Sequence, residues 1–571
     1  MNLPWINQLG EWNPQLFREI KGRLRPRNIL IAVTMSLLGQ LLLLMSFAGQ
    51  LPTPHENTAV ITNRYCTGTS QNYGSPTCLA DGLGGFVLNW ELWWKDVFIW
   101  LSIFGVFALL VIGTYMLIAD LAKEEHRGTL NFLRLTPQSS RSILTGKMLG
   151  VPVVLYLVGV LALPLHLAAG LSAQIPLSLI LVYYGVLGTS CLFAYSIALL
   201  FGLVSKWLGG FQAWLGSGLI LMLLFPMTVV LANGFYITQT PIDWLILFNP
   251  ELMLPYLIGS NSFDAANPVN YGHSLRDLKY FSLPITTSIW SVAGLMVFNF
   301  GLWTYWAWQG LQRCFHNPSA TLLGKQQSYW LTACFEAVIL GFALNPEVAS
   351  WKPEARSLFH NFQILLVFNL LLFLCLIATL SPQRQAMQDW ARYRHKQRSA
   401  RKRGVMADLL WGEKSPAVVA VGVNLAIASS ILLPWILLWP QSEYKIPAIW
   451  GLLVNTSLML LYATVAQLML FMKSPKRALW AASIVGGLVI LPPLIFGFLS
   501  ISPMDGPAVW LFSAFPWAGL EYATQINIFL AVIGQSLAFG LLGLKLTRQL
   551  RKAGESSTKA LLSGRSPVAI Q

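Results

Sequence analysis

Residues able to do chemistry are sparse in this chain, and their spacing excludes most of what they could do. The seven histidines are scattered and form no H-x-x-x-H pair, so nothing supports a zinc-dependent membrane protease. Cys191, Cys314, Cys334 and Cys375 show no metal-ligand spacing. No Ser-His-Asp or Cys-His arrangement can be argued from residue order. Two Gly-Lys pairs invite comparison with a phosphate-binding loop, but Met148 follows Gly146-Lys147 and Gln326 follows Gly324-Lys325, so G-x-x-x-x-G-K-[ST] does not occur. Without backbone amides around phosphate and a hydroxyl for magnesium, the chain cannot hydrolyse ATP in the P-loop manner. One carboxylate, Glu336, stands inside an apolar run, where ionisable groups are costly and often functional. The alternative is that its run, Tyr329–Leu344, follows the membrane interface and leaves Glu336 wet. No catalytic, cofactor-binding or metal-ligating set is expected, and the chain is not expected to be an enzyme.

The elements that would position such residues are membrane spans. Hydrophobic residues make up 55% of the chain and charged ones 11%, far below the quarter usual in soluble domains. Twelve apolar stretches are long enough to cross a bilayer as helices. They are Asn28–Ala48, Val97–Ala119, Met148–Gly170, Leu177–Leu203, Phe211–Leu231, Pro284–Gln309, Tyr329–Leu344, Phe362–Leu380, Ala417–Trp439, Pro447–Met472, Ala478–Leu499 and Ile526–Leu546. The predicted fold is therefore all-α: a polytopic membrane helical bundle of about twelve transmembrane helices in two six-helix halves. The predicted divisions are an N-terminal segment with an interfacial helix (1–27), a first six-span domain (28–312), a linker (313–328), a second six-span domain (329–546) and a basic tail (547–571).

Net charge is +15, which by itself would admit nucleic acid as a partner. Its distribution excludes that reading. With the N-terminus cytoplasmic, 31 of 38 Lys and Arg fall inside, giving +22 inside and −6 outside. This is the positive-inside pattern of a multi-pass inner or plasma membrane protein with both termini cytoplasmic. No cleavable signal peptide is visible, because the first apolar run follows a basic, proline-containing stretch. Cys66 and Cys78 lie in the outer loop Gly49–Lys95, where an oxidising compartment would let them close a disulfide; two free thiols is the alternative. Gln40, His166, Asn299, Asn424, Asn455, Gln467 and Gln535 could line a path, although hydrogen bonding between helices is the commoner role of such groups.

The insert EEHRGTLNFLRLTPQSSRSILTGK, Glu124–Lys147, interrupts the apolar pattern with polar and helix-breaking residues on the cytoplasmic side. Leu121–Leu135 has helix-forming residues, Thr136-Pro137 stops that helix, and Ser139 or Ser140 can cap the next. Leu130 and Leu133, and likewise Phe132 and Leu135, form apolar pairs at three-residue spacing, so the segment can dock on a partner or lie on headgroups. Upstream, Trp12–Arg27 alternates Leu16, Phe17, Ile20 and Leu24 with Arg18, Lys21, Arg23 and Arg25, as an interfacial helix does. RGVMADLLW (Arg403–Trp411) partly repeats RGTLNFLRL (Arg127–Leu135), and STKALLSGR (Ser557–Arg565) resembles NPSATLLGK (Asn317–Lys325). A six-plus-six parallel duplication accounts for this, with chance similarity as the alternative. The basic stretch Pro382–Lys414 reads chiefly as lipid contact.

These features together resemble the permease subunits of ATP-binding-cassette (ABC) transporters of the type-2 export class. The resemblance rests on the basic helix, the six-span order and the run Glu125, Arg127, Gly128, Thr129, Leu130, Leu133, Thr136, Pro137, Gly146 and Lys147. His126 separates a Glu-Arg pair that the family often keeps adjacent, and the second half matches only loosely. The resemblance implies that Glu124, Glu125, Arg127, Gly128, Thr129, Leu130, Leu133, Thr136 and Pro137 couple the membrane body to a separate ABC ATPase subunit, itself a dimer. ATP and magnesium would be bound by that partner, with no cofactor in this chain. A fused pair of halves and a homodimer of the whole chain remain competing arrangements. The resemblance also implies that the apolar outer stretch around Asn249-Pro250-Glu251 and Pro255 forms short helices dipping into the leaflet as an exit gate; a packed cap is the alternative. The other classes in view are an ion-coupled secondary transporter and a membrane enzyme or scaffold without transport.

Overall fold

The computed structural model describes residues 10–53, 61–69, 75–82, 85–232, 239–258, 278–318, 320–344, 354–397, 404–440 and 443–554. The repeat Ser557–Arg565, the outer stretch 259–277 and Arg398, Arg401, Lys402 and Arg403 of the basic run lie outside the described residues. The chain is 79% helical, with almost no strand. Ten helices among the described residues are long and apolar enough to cross a membrane. The protein is thus an all-α integral membrane protein.

The apolar runs predicted as the sixth and seventh spans are also helices, Ile289–His316 and Lys325–Ala343, but neither belongs to those ten. Their polar and indole-bearing residues, Asn299, Trp303, Thr304 and Gln309 in one and Ser328, Thr332 and Glu336 in the other, lower their hydropathy. The third predicted span is divided: a helix ending at Gly150 is followed by Val153–Ser172, with Val151-Pro152 as a turn between them.

The chain folds as two compact units. The first comprises Met1–Ile237, Trp244–Leu278 and Pro284–His316; the second comprises Thr238–Asp243, Lys279–Leu283 and Asn317–Gln571. In the first, α1 (Pro14–Arg23) and α2 (Pro26–Ala48) lead to α3 (Trp90–Phe107), which runs through a π-helical turn, Ala108–Ile112, into α4 (Gly113–His126). Then come α5 (Thr129–Leu135), α6 (Ser140–Gly150), α7 (Val153–Ser172), α8 (Leu177–Val204), α9 (Gln212–Ala232) and α10 (Ile289–His316). The second unit contains α11 (Lys325–Ala343), α12 (Glu354–Leu380), α13 (Arg384–Gln397), α14 (Val405–Trp411), α15 (Val418–Leu437), α16 (Lys445–Leu470), α17 (Arg477–Phe498) and α18 (Gln525–Gly554).

The π-turn has a visible partner. Such turns widen the helix and shift its hydrogen-bond register, and here the Tyr195 hydroxyl of α8 donates to the Leu109 carbonyl at 2.7 Å. Gly113 makes room for that ring, since a Cβ there would lie 2.3 Å from the hydroxyl oxygen.

Polar side chains inside the units tie helices together. Gln40 donates to the Leu161 carbonyl at 3.3 Å, and His166 lies 2.8 Å from the Ser102 hydroxyl and 2.7 Å from that of Tyr184. Asn299 accepts from the Trp244 indole at 3.0 Å, Gln467 accepts from the Ala417 amide at 3.1 Å, and Gln535 donates to the Leu511 carbonyl at 3.0 Å. Each bond satisfies a group that apolar surroundings would otherwise leave unpaired. Cys66 and Cys78 are joined as a disulfide, with Cα atoms 4.8 Å apart.

Candidate functional site

The helix predicted over Leu121–Leu135 is two helices. Arg127 and Gly128 separate α4 from α5, and Gly128 takes the left-handed conformation, φ +71°. Its amide still bonds the Glu125 carbonyl at 3.0 Å, closing the end of α4 as left-handed glycines commonly do. The Thr136-Pro137 stop holds: α5 ends at Leu135, and the Ser139 hydroxyl accepts from the Ser142 amide at 3.2 Å to cap α6.

The two-turn α5 turns its apolar pairs in opposite directions. Leu130 and Leu133 are 1% and 6% exposed and join a cluster with Leu117, Leu121, Ile143, Leu144, Leu203 and Phe315. Phe132 and Leu135 are 71% and 86% exposed. Arg127, Thr129, Asn131 and Pro137 are exposed beside them. Arg134 fixes the far side: its Nε donates to the Phe315 carbonyl at 2.7 Å, near the C-terminus of α10, where unpaired carbonyls favour a cation.

Beneath this knob lies a buried charge cluster joining α1, α4 and α6. Lys147, 0% exposed, places its ammonium 2.7 Å from Asp120, 2.7 Å from Glu124 and 3.5 Å from Glu19. Arg23 bonds Asp120 at 2.5 Å and Glu19 at 3.2 Å, and Arg18 bonds Glu124 at 2.7 Å and Glu19 at 3.1 Å. Three carboxylates meet three cations, so the cluster is neutral. The carboxylates converge as metal ligands would, but the ammonium of Lys147 stands among them. Burial works against the Lys147 charge, yet the summed attraction of Asp120, Glu124 and Glu19 outweighs it and holds its pKa above the usual lysine value. Glu125 turns aside to Lys206, 2.6 Å away.

Two glycines let α1 seat on α6. A Cβ at Gly146 would fall 2.8 Å from both the Asn13 Oδ1 and the Leu16 amide, and one at Gly150 would fall 2.5 Å from the Glu19 Cβ. Asn13 stitches the contact: its Oδ1 accepts from the Leu16 amide at 3.0 Å and its Nδ2 donates to the Ser142 carbonyl at 2.8 Å. Consequently α1 buries Gln15, Leu16 and Glu19 against protein, where an interfacial helix alone would leave them on lipid and headgroups. Gly150→Leu should lift α1 off α6 at a cost of about 1–3 kcal/mol. Limited trypsin treatment checks this: Arg18, Lys21 and Arg23 should become cleavable in the variant while wild type stays protected.

The corresponding stretch of the second unit is built otherwise. Helix α14 exposes Val405, Met406 and Trp411, and among the described residues no convergent acidic cluster lies behind it. Lys325 instead donates to the Leu409 carbonyl at 2.7 Å, Tyr329 donates to the Leu410 carbonyl at 2.7 Å, and Arg394 pairs with Asp408.

Beyond α9, short helical turns at Pro250–Met253 and Leu254–Leu257 bury Glu251, Leu252, Met253, Leu254 and Leu257. Glu251 accepts from the Thr228 hydroxyl and from the Asn249 amide group, the latter at 3.5 Å. Burial pushes its carboxyl up to about 7, against the pull of those hydrogen bonds. The folded chain thus holds this proton more tightly than the unfolded one, so stability falls as pH rises from the ordinary carboxylate range to about 7 and is level above it. Glu251→Gln should flatten that slope and be more stable than wild type at about pH 8, by no more than about 3 kcal/mol. Melting curves of both proteins across this range decide it.

No protein-family model matches this chain, and no curated protein or solved structure is found to be similar to it.

Proposed function

We propose that the chain is the membrane permease component of an ABC transporter, of the type-2 export class, and that α5 receives the motion of a separate ATPase subunit. The observation carrying this reading is a short helix whose inner face is locked into the bundle by Leu130 and Leu133 while Phe132 and Leu135 stand uncovered by the rest of the chain. Bare aromatic and leucine side chains on a braced helix fit the anchor residues of a protein groove. The cluster around Lys147 supports it further, because α5 packs through Leu130 and Leu133 into the apolar cluster, and the ion pairs of Lys147 tie α4 to α6. In this reading both termini and α5 are cytoplasmic, twelve helices cross the plasma or inner membrane, and ATP with magnesium binds in the partner.

Phe132→Asp/Leu135→Asp tests it. Purified from native membranes in mild detergent, the wild type should retain a nucleotide-hydrolysing partner that the double variant loses by about tenfold or more, at unchanged melting temperature. Equal retention would contradict the proposal. A second reading, an ion-coupled secondary transporter, draws on Glu336, which is fully enclosed between helices of the second unit.

A further inference from the structure

Glu336 lies in the middle of α11 at 0% exposure, and Asn369 of α12 faces it at 2% exposure. The Asn369 amide Nδ2 donates to Glu336 Oε2 at 3.4 Å. That leaves two oxygens, Glu336 Oε1 and Asn369 Oδ1, both buried and both without a hydrogen-bond partner. Two buried acceptors without a donor, on residues already bonded to each other, are costly. No cation relieves them among the described residues. Helix α15 contributes Asn424 and has no ionisable residue at all. On α12 the ionisable groups are Glu354, Arg356, His360 and Cys375, and on α11 they are Lys325, Tyr329 and Cys334; none is bonded to the carboxyl. Of the remaining neighbours, Asp408 of α14 is paired with Arg394, and Lys279 and Tyr280 belong to a short strand beside the far end of α11.

A protonated carboxyl gains an O–H donor that an ionised one lacks. We propose that Glu336 is a proton-binding site: Oε1 carries a proton and donates it to Asn369 Oδ1, so that acid and amide close a two-bond ring. Both orphaned oxygens are then satisfied by one proton. A polar stripe leads to the site along α11. Ser328 and Thr332, each 0% exposed, stand on the same helix face as Glu336 at four-residue intervals. Asn424 bridges those two, accepting from Thr332 at 2.8 Å and donating to Ser328 at 3.0 Å. The stripe begins at the Lys325 end of the helix, and its hydrogen bonds run as far as Thr332, one helical turn from Glu336.

Infrared spectroscopy on the full-length protein in lipid nanodiscs tests the assignment. At neutral pH the wild type should show a carbonyl stretching band of a protonated carboxylic acid. Asn369→Leu should shift that band, because the ring partner is gone, and Glu336→Gln should remove its component, leaving only the weaker one of the Glu251 carboxyl, which titrates at about 7. Glu336→Gln should also accumulate and melt like wild type, because an amide there can donate to Asn369 Oδ1 and accept from its Nδ2. Three results would each overturn the proposal: no protonated-acid band in the wild type, a band unaffected by Glu336→Gln, or a Glu336→Gln chain that fails to fold. A wild type whose melting temperature rises with added sodium while the band is missing would show a bound cation in place of the proton.

Discussion

Lys147→Met should cost about 3–5 kcal/mol, close to the whole stability margin of many proteins. The ammonium is completely enclosed and is the point where Asp120, Glu124 and Glu19 meet. Removing it leaves three carboxylates, largely shielded from water, facing two partly exposed guanidinium groups, and breaking a buried pair is far costlier than never having built it. The same logic gives a compensating variant: Lys147→Met with Glu124→Gln restores neutrality and should recover part of the loss, a coupling visible in a double-mutant cycle of melting temperatures. Because the Lys147 pKa lies above the usual lysine value, its contribution is complete throughout the physiological range and fades only in strong alkali, as pH rises through the raised value. If Lys147→Met melted like wild type, the cluster would be ornamental.

Leu130→Asp should be comparably damaging, at about 3 kcal/mol or more, and for a different reason. Leu130 is 1% exposed and packs in the cluster that holds α5 against α4 and α6. A carboxylate there is desolvated without a partner, and the helix must leave its seat to hydrate it. Phe132→Asp is the informative contrast, because a side chain 71% exposed surrenders almost no packing. Thermal unfolding of the two single variants, run side by side, should separate them clearly. Loss of a partner on Leu130→Asp therefore reports unfolding of the insert, whereas loss on Phe132→Asp reports docking.

The contrast also shows what the sequence could disclose. The apolar runs made ten spans legible because length and hydropathy suffice for a helix that lies in lipid. The sixth and seventh runs, read as spans from the same pattern, are helices but not among those ten: tryptophans and buried Asn, Thr and Glu depress hydropathy where a helix faces other helices. In the insert, Thr136-Pro137 announced the stop, but Gly128 did not announce its left-handed turn amid good helix formers. Which leucine pair would face inward was beyond reach, since Leu130/Leu133 and Phe132/Leu135 have the same spacing and the same apolarity. Only packing against Leu144 and Phe315 breaks the tie. The charge cluster was similarly hidden. Lys147 reads as the tail of a motif, and its partner Glu19 belongs to a helix that pattern alone placed on the headgroups. Gly146 and Gly150, four apart and facing Asn13 and Glu19, were the one available hint of a close helix contact.

The most direct trial of the account is to place a photoactivatable cross-linking amino acid at position 132 of the full-length chain and irradiate intact membranes. An adduct with a nucleotide-binding ATPase, absent when the same group replaces the buried Leu130, is the result expected. Adducts confined to lipid, or to the chain itself, would contradict the claim that this knob is where a soluble motor takes hold.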